Sequence, residues 1–373
     1  MRILHLTKKY PDAFGGDAVI VSNLEREQTK LGHAIFILTP NCPEIREKEN
    51  VFKFGLRDKA PNLDRLTVRR CLSLFILLWS GFKYLGRLKP DVIHTHSADL
   101  GFFIAISAKI YHIPVVNTCH GVSFPDKQYG FIKRFAERFL LQHAGFKRII
   151  VVAKNILNVF DDAGIKNGVY IPNGVAIGQF AKEKAVLRLK ADHKARFLFV
   201  GRLEEQKGCK YLIQATRILI EKTQDFEILL VGDGSQREIL DNLTEENNLG
   251  SYVTFLGSVD AEKLKDLYCA SDVFILPSIW EGLPVTLLEA WSAKLPVIVT
   301  NVGAIRDICV DERNGLIVRP KDPVAIAEAM LRLIEDDELR WRLAKNGAEL
   351  VRREFSLEHV VKSTLELYEE VII

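Results

Sequence analysis

Two glutamates, Glu281 and Glu289, stand eight positions apart in the stretch Pro277 to Ala293, PSIWEGLPVTLLEAWSA. An apolar run, Asp272 to Leu276, precedes them and reads as a buried strand; the stretch itself opens a helix. Pro284 suits the first helical turn, where its missing N–H costs nothing. Glu281 then falls just outside the helix start and Glu289 two turns inside it, roughly 12 Å apart along the axis. Between them lies a helix N-terminus, whose unpaired N–H groups and partial positive charge suit a phosphate. Carboxylates accept hydrogen bonds from hydroxyls. The strip therefore suits a molecule with hydroxyls at both ends and anions between, such as a sugar joined through a diphosphate to a nucleoside. An ordinary strand–loop–helix with two solvated glutamates has the same spacing, and both readings stand at this point.

A second group lies upstream. Gly201-Arg202-Leu203 ends an apolar run, and Lys207-Gly208 opens the next helix. This puts Arg202 and Lys207 at the C-terminal end of a strand beside a helix N-terminus, where a diphosphate would meet two cations and backbone donors. No acidic DxD-type pair stands where it would hold a metal, so no metal is expected and protein cations take its place. His120 ends the run VVNTCHG and points to function. His94 reads as packing, and His96 as facing a cleft. Gly15-Gly16 follows the first strand, where glycines let backbone N–H groups approach a ligand; a plain turn uses the same pair. GxGxxG is absent: Gly232-Asp233-Gly234 follows a strand, but Arg237 holds the third glycine's place, which weakens a dinucleotide reading.

The elements that position these residues alternate. Residues 2–6 read as a strand, 17–31 as a helix, 34–38 as a strand and 65–89 as a basic helix. Buried strands follow at 91–95, 115–118 and 149–153, with a basic amphipathic helix at 131–143. The pattern restarts with short apolar runs at 197–200, 228–231, 253–256, 273–276 and 297–300, separated by helical stretches, and ends in charged amphipathic helices from Pro323. Strand–helix alternation written twice predicts two doubly wound parallel sheets, Rossmann-like, facing a cleft into which the strands' C-terminal ends point.

A chain of 373 residues suits two domains, here 1–175 and 176–355. The six cysteines are scattered without a CxxC pair, which argues against zinc or a disulfide framework and for a reducing compartment. MRILHLTKKY shows no apolar signal segment, and the apolar run Leu72–Trp79 is too short to span a bilayer. Charge is uneven: residues 1–175 hold 25 Lys and Arg against 15 Asp and Glu, and the excess comes from residues 51–150 with 16 against 6. Such a half suits an anionic surface or substrate.

Several motifs appear in order: GG near the N-terminus, CHG at 119–121, IPNGV at 171–175, GRLxxxKG at 201–208 and Ex7E at 281–289, then LPVIVTNVGAIRDI at 295–308 and NGLIV at 314–318. Together they resemble a retaining glycosyltransferase of family 4, with the GT-B fold. The resemblance implies that Arg202 and Lys207 hold the donor diphosphate and that Glu289 binds the ribose. It places Glu281 on the transferred sugar, with backbone N–H groups from Gly282 and Leu283. It also implies that His120 contacts the 6-position side of that sugar and that Gly15 and Gly16 approach the phosphate. The final helix, 356–373, is expected to cross back to the first domain. Two departures stand out: Ala176 follows IPNGV where Asp is common, and Gly303-Ala304 replaces a frequent Gly-Gly.

The expected activity is hexosyl transfer from a nucleotide diphosphate sugar with retained configuration. It proceeds by front-face attack, without a covalent nucleophile, a metal or a cofactor. The acceptor is a sugar, a glycan or a lipid-linked glycan. Helix 131–143, with Phe131, Phe135 and Phe139 beside Lys133, Arg134 and Arg138, suggests an anionic membrane surface, hence a cytoplasmic chain peripheral on the inner face of the cell membrane. No nucleic-acid partner is expected. Two other classes remain: a nucleotide-sugar epimerase, which needs a carboxylate pair in the first domain, and a catalytically silent nucleotide-sugar-binding protein.

Overall fold

The computed structural model describes residues 1–10, 16–43, 45, 48–57, 68–124, 130–178 and 194–373. It divides into two compact units. Unit 1 comprises Met1–Gly174 with Leu357–Ile373, and unit 2 comprises Val175–Ser356.

Unit 1 holds strands β1 (Arg2–Leu6), β2 (Ala34–Pro40), β3 (Val51–Phe54), β4 (Val92–Thr95), β5 (Val115–Cys119), β6 (Arg148–Val151) and β7 (Gly168–Tyr170). Its first helices are α1 (Gly16–Lys30), α2 (Val68–Leu88), α3 (Ala98–Ile110), α4 (Phe131–His143) and α5 (Lys154–Asp162). The strands form one parallel sheet in the order β3-β2-β1-β4-β5-β6-β7. Unit 2 holds β8 (Ala195–Val200), β9 (Phe226–Val231), β10 (Val253–Gly257), β11 (Val273–Leu276), β12 (Val297–Thr300) and β13 (Leu316–Val318). They are parallel in the order β10-β9-β8-β11-β12-β13. Its helices are α6 (Cys209–Leu219), α7 (Arg237–Glu246), α8 (Ala261–Ala270), α9 (Val285–Ser292), α10 (Ile305–Ile308), α11 (Pro323–Glu335) and α12 (Asp337–Glu354).

The central strands β4, β5, β11 and β12 are buried at every position, as continuous apolar runs require when helices cover both faces of a sheet. Three strands escape the sequence reading: β3, β7 and β13. All are edge strands of three or four residues, half-buried in β3 and β7, so they carry little apolar signal. Helix starts in unit 2 are written locally. Asp260, Asp322 and Asp336 each accept a backbone N–H from the first turn, at 2.8, 3.0 and 2.8 Å.

The last helix, α13 (Leu357–Ile372), belongs to unit 1. Its Val360, Leu367 and Tyr368 join Ile3, Val21, Ile35 and Val116 in one core. α2 occupies the region read as a helix at 65–89. The stretch Cys71–Leu88 is one helix with a mean hydropathy of 1.2, long and apolar enough to cross a bilayer. Here it lies packed in the α/β unit: Leu77 and Leu85 are fully buried, and Gly81 sits closely over Ser107 of α3.

In each sheet the strand order reverses beside the first strand of the unit, between β1 and β4 and between β8 and β11. Connections leave such a point in opposite directions and open a crevice at the strands' C-terminal ends.

Candidate active site

In unit 2 three loops converge at the reversal point. The loop after β8 carries Arg202 and then a single 3-10 turn, Glu205–Lys207, closed by Gly208 in the left-handed region (φ 68°). The loop after β11 carries Ser278 to Leu283, and the loop after β12 carries Gly303. Backbone contacts lock them together. The Ile279 N–H donates to the Gln206 carbonyl at 2.8 Å, and the Gln206 side-chain amide donates to the Trp280 carbonyl at 3.0 Å. A Cβ on Gly208 would lie 2.1 Å from the Pro277 carbonyl oxygen, and one on Gly303 would lie 1.8 Å from that of Glu281. Only glycine permits these approaches.

This frame aims Lys207 at Glu281. The Lys207 Nζ donates to Glu281 Oε1 at 2.6 Å, and the Ser278 hydroxyl donates to the same oxygen at 2.6 Å. Ser278 is itself held by its carbonyl, which accepts from the Thr300 hydroxyl at 2.5 Å. Glu281 is only 6% exposed, and Lys207 is its ion-pair partner. Arg202 is exposed at the same strand end; its carbonyl accepts from the Glu204 N–H at 2.9 Å, and its guanidinium has neither ion pair nor hydrogen bond among the described residues. The Gly282 carbonyl accepts from the Ala304 N–H at 3.3 Å, and Leu283 is buried beneath it.

Glu289 differs from the sequence reading. Pro284 is the extended residue that caps α9 (φ −73°, ψ 117°), not a first-turn residue, so the helix begins at Val285. Glu289 is then the fifth helical residue, little more than one turn in. Only half of the eight steps from Glu281 rise along the helix axis, so the two-turn, 12 Å estimate does not hold. The Glu289 carboxylate lies 2.9 Å from the Tyr268 hydroxyl of α8. Burial raises its pKa above the ordinary carboxylate value, and the Tyr268 hydrogen bond offsets part of that rise. Cys209, two residues past Lys207, is no nucleophile: burial pushes its thiol up to about 12.

Unit 1 presents imidazoles at its reversal point. His5 on β1 and His94 on β4 are register partners. His96, two residues past His94 and on the same face, is buried within the array; the cleft-facing position read from the sequence is not found. His96 Nε2 lies 3.1 Å from His5 Nδ1, whose other nitrogen lies 2.8 Å from Gln28 Oε1. His94 is held from both sides, by Tyr368 of α13 at 2.5 Å and by Thr118 at 2.6 Å. Burial is the first cause lowering all three pKa values, that of His5 to about 4 and those of His94 and His96 well below the ordinary value, so the array is neutral. Three neutral imidazoles with nitrogens within 4.8 Å are a metal-ligating set in kind. Both nitrogens of His94, however, are already hydrogen-bonded to protein, and ligation would have to break one of those bonds. His120 stacks on His96 (centroids 5.9 Å, planes 17° apart), and neither of its buried ring nitrogens has a partner among the described residues. Gly16 is the first residue of α1, and Gly15 lies outside the described residues.

Sequence reading missed Ser278, Gln206, Tyr268, His5 and Gln28. Only His5 had a legible signal, as a polar residue inside an apolar strand; the others are recruited by loops and neighbouring helices.

Comparisons place this geometry. Residues 14–179 match the family model Glycosyltransferase Family 4, and residues 181–350 match Glycosyl transferases group 1. An uncharacterized glycosyltransferase of Methanocaldococcus jannaschii, MJ1607, is 30% identical over 99% of this chain and 98% of its own. A UDP-Gal:alpha-D-GlcNAc-diphosphoundecaprenol alpha-1,3-galactosyltransferase of Escherichia coli is 31% identical over 79% of each chain. Among solved structures, sucrose-phosphate synthase from Thermosynechococcus elongatus superposes with a TM-score of 0.84 at 23% identity, over 99% of both chains. The Anabaena HepE protein in complex with UDP-glucose does so at 0.81 and 18% identity, over 99% of this chain and all of its own. Family models on both halves, a full-length relative and the paired parallel sheets lead to one conclusion: the chain is a member of the family 4 glycosyltransferases, with the GT-B fold.

Proposed function

We propose that the chain transfers a hexosyl group from a nucleotide diphosphate sugar to an acceptor hydroxyl, with retention and without a metal. The observation that carries this reading is the Lys207–Glu281 pair, buried at the C-terminal ends of β8 and β11 beside exposed Arg202. Donor binding exchanges partners. Lys207 and Arg202 take the diphosphate, which faces the N-terminus of α9, and Glu281 is released to the hydroxyls of the transferred sugar. Glu289, partly buried and poised by Tyr268, accepts from the ribose hydroxyls. In unit 1, His120 offers ring nitrogens that lack a partner among the described residues, and a sugar hydroxyl suits them.

The two cations stabilise charge building on the leaving phosphate. That phosphate takes the acceptor's proton on the same face of the sugar, and the anomeric bond re-forms with its configuration kept. The relative named for a diphosphoundecaprenol substrate and the neighbour bound to UDP-glucose support a nucleotide-sugar donor and a lipid-linked or glycan acceptor. An epimerase needs a carboxylate pair in unit 1, where the reversal point holds imidazoles instead. Six cysteines outside any disulfide, four of them buried, suit a cytoplasmic setting.

The test is a panel of nucleotide diphosphate sugars followed for slow hydrolysis, with product anomers read by NMR and each reaction repeated in EDTA. Retention and undiminished turnover in EDTA are expected. Inversion, or activity lost in EDTA and restored by magnesium or manganese, overturns the mechanism. No hydrolysis or transfer with any donor that binds favours a silent binding protein.

A further inference from the structure

Amphipathic helices ordinarily turn their apolar side inward. α4 does the reverse. Phe131, Ile132 and Phe135 are 76%, 80% and 62% exposed, and Leu141 is its only fully buried residue. The neighbouring helices continue the pattern. α2 exposes Leu72, Phe75 and Trp79, the last at 79%, and α3 exposes Ile106 and Ile110. The aromatic rings form one belt across the three helices. Phe75 of α2 meets Phe103 of α3 at 5.7 Å between centroids, and Phe103 meets Phe102 at 5.8 Å. Phe102 meets Phe139 of α4 at 6.5 Å, from which Phe135 and Phe131 continue at 6.4 and 6.2 Å. An exposed apolar belt of this extent marks an interaction surface.

Charge says what covers it. α2, α3 and α4 together hold eight Lys and Arg against two acids, Asp99 and Glu137. Both acids are engaged. Asp99 pairs with Lys8 at 3.0 Å, and Glu137 accepts from the Ser123 backbone at 2.6 Å. A two-fold contact with a second copy would press this basic face against itself. We infer that the α2–α3–α4 face docks on an anionic lipid bilayer, with the aromatic belt in the interface and Lys83, Lys133 and their neighbours at the headgroups. The inference stands on this surface alone; joined to the transfer reading, it brings the chain beside a lipid-linked acceptor.

The experiment sediments the full chain with phosphatidylcholine vesicles, with and without a third of phosphatidylglycerol, and follows tryptophan emission. Donor hydrolysis in solution is measured in parallel. Binding to the anionic vesicles, loss with salt and a blue shift absent in Trp79→Phe are expected. Lys83→Glu with Lys133→Glu, both at exposed positions, lowers partitioning by at least about twentyfold, each Lys or Arg near such a surface being worth about fivefold. Phe131→Ser, Ile132→Ser and Phe135→Ser together abolish it, and thermal melts check that both variants fold. No sedimentation with anionic vesicles at low ionic strength, or binding unchanged in both folded variants, overturns the proposal. So does a dimer in solution that the same substitutions dissolve. Hydrolysis without vesicle binding defeats the docking alone, and binding without hydrolysis defeats the transfer reading alone.

Discussion

The two units solve the same topological problem with opposite electrostatics. At the reversal point of unit 1 sit three imidazoles, all neutral, sealed from solvent and tied to Gln28, Thr118 and Tyr368. At the reversal point of unit 2 sit ions: a buried carboxylate held by one lysine, and an exposed guanidinium beside them. The first arrangement engages both nitrogens of His5 and of His94 and couples β1, β4, β5 and α13 into one body, leaving His96 Nδ1 without a partner among the described residues. The second is an ion pair that a ligand can divide, an anion taking the lysine and hydroxyls donating to the carboxylate. A strand order shared over six strands does not determine chemistry; the side chains at the crossover do.

Acid breaks the comparison most strongly. The folded state depresses the His5 pKa from 6.5 to about 4, and those of His94 and His96 also fall well below the ordinary value. The unfolded chain therefore binds protons that the folded array refuses. Stability from the array is complete above about pH 6.5 and drains away as pH falls toward 4, with His5 alone accounting for on the order of 3 kcal/mol. Thermal melts from pH 7 to 4 are expected to show this loss, with a shallower slope in His5→Gln. A flat profile would mean that the array is solvated.

Next come the cations. Lys207→Ala removes a charged hydrogen bond of roughly 1.5–3 kcal/mol and strands Glu281, so kcat/KM and the melting temperature both fall. Arg202→Ala loses activity of similar size but melts like the parent, since Arg202 has no partner to strand among the described residues. Steady-state kinetics beside calorimetry separates the two. Wild-type turnover in both variants would mean that the diphosphate sits elsewhere.

The two glutamates sharpen the contrast within unit 2. Glu281→Ala is expected to lower kcat most, and Glu289→Ala to raise KM most, because the proposed donor pose puts Glu281 on the reacting sugar and Glu289 on the ribose. The reverse split would turn the donor around.

The smallest expected effect concerns stability. The folded state raises the Glu289 pKa above 4.5, so its contribution is present in acid and lost as pH rises through the folded value. Glu289→Gln should therefore melt higher than the parent at pH 7, by a few degrees, and lose that advantage below about pH 4.5. Equal melting temperatures at both pH values would count against a buried charge.

Much of this was legible in the residues. Apolar runs predicted the central strands, and Asp at three helix starts is a local capping signal. The motifs around Arg202, Lys207, Glu281 and Glu289 marked the strand ends that carry them. Short edge strands escaped, since three half-buried residues carry little pattern.

What the sequence determined by itself is local: periodicity, caps, the glycines at 208 and 303, and the amphipathic stripe of residues 131–143. The fold decided everything that depends on which strands become neighbours. Lys207 and Glu281 are 74 positions apart and meet because β8 and β11 pair; His5 and His94 meet because β1 pairs with β4. The stripe on α4 could be read, but not its direction. Local periodicity states only that a helix has two faces, and packing against α3 left the apolar one outward.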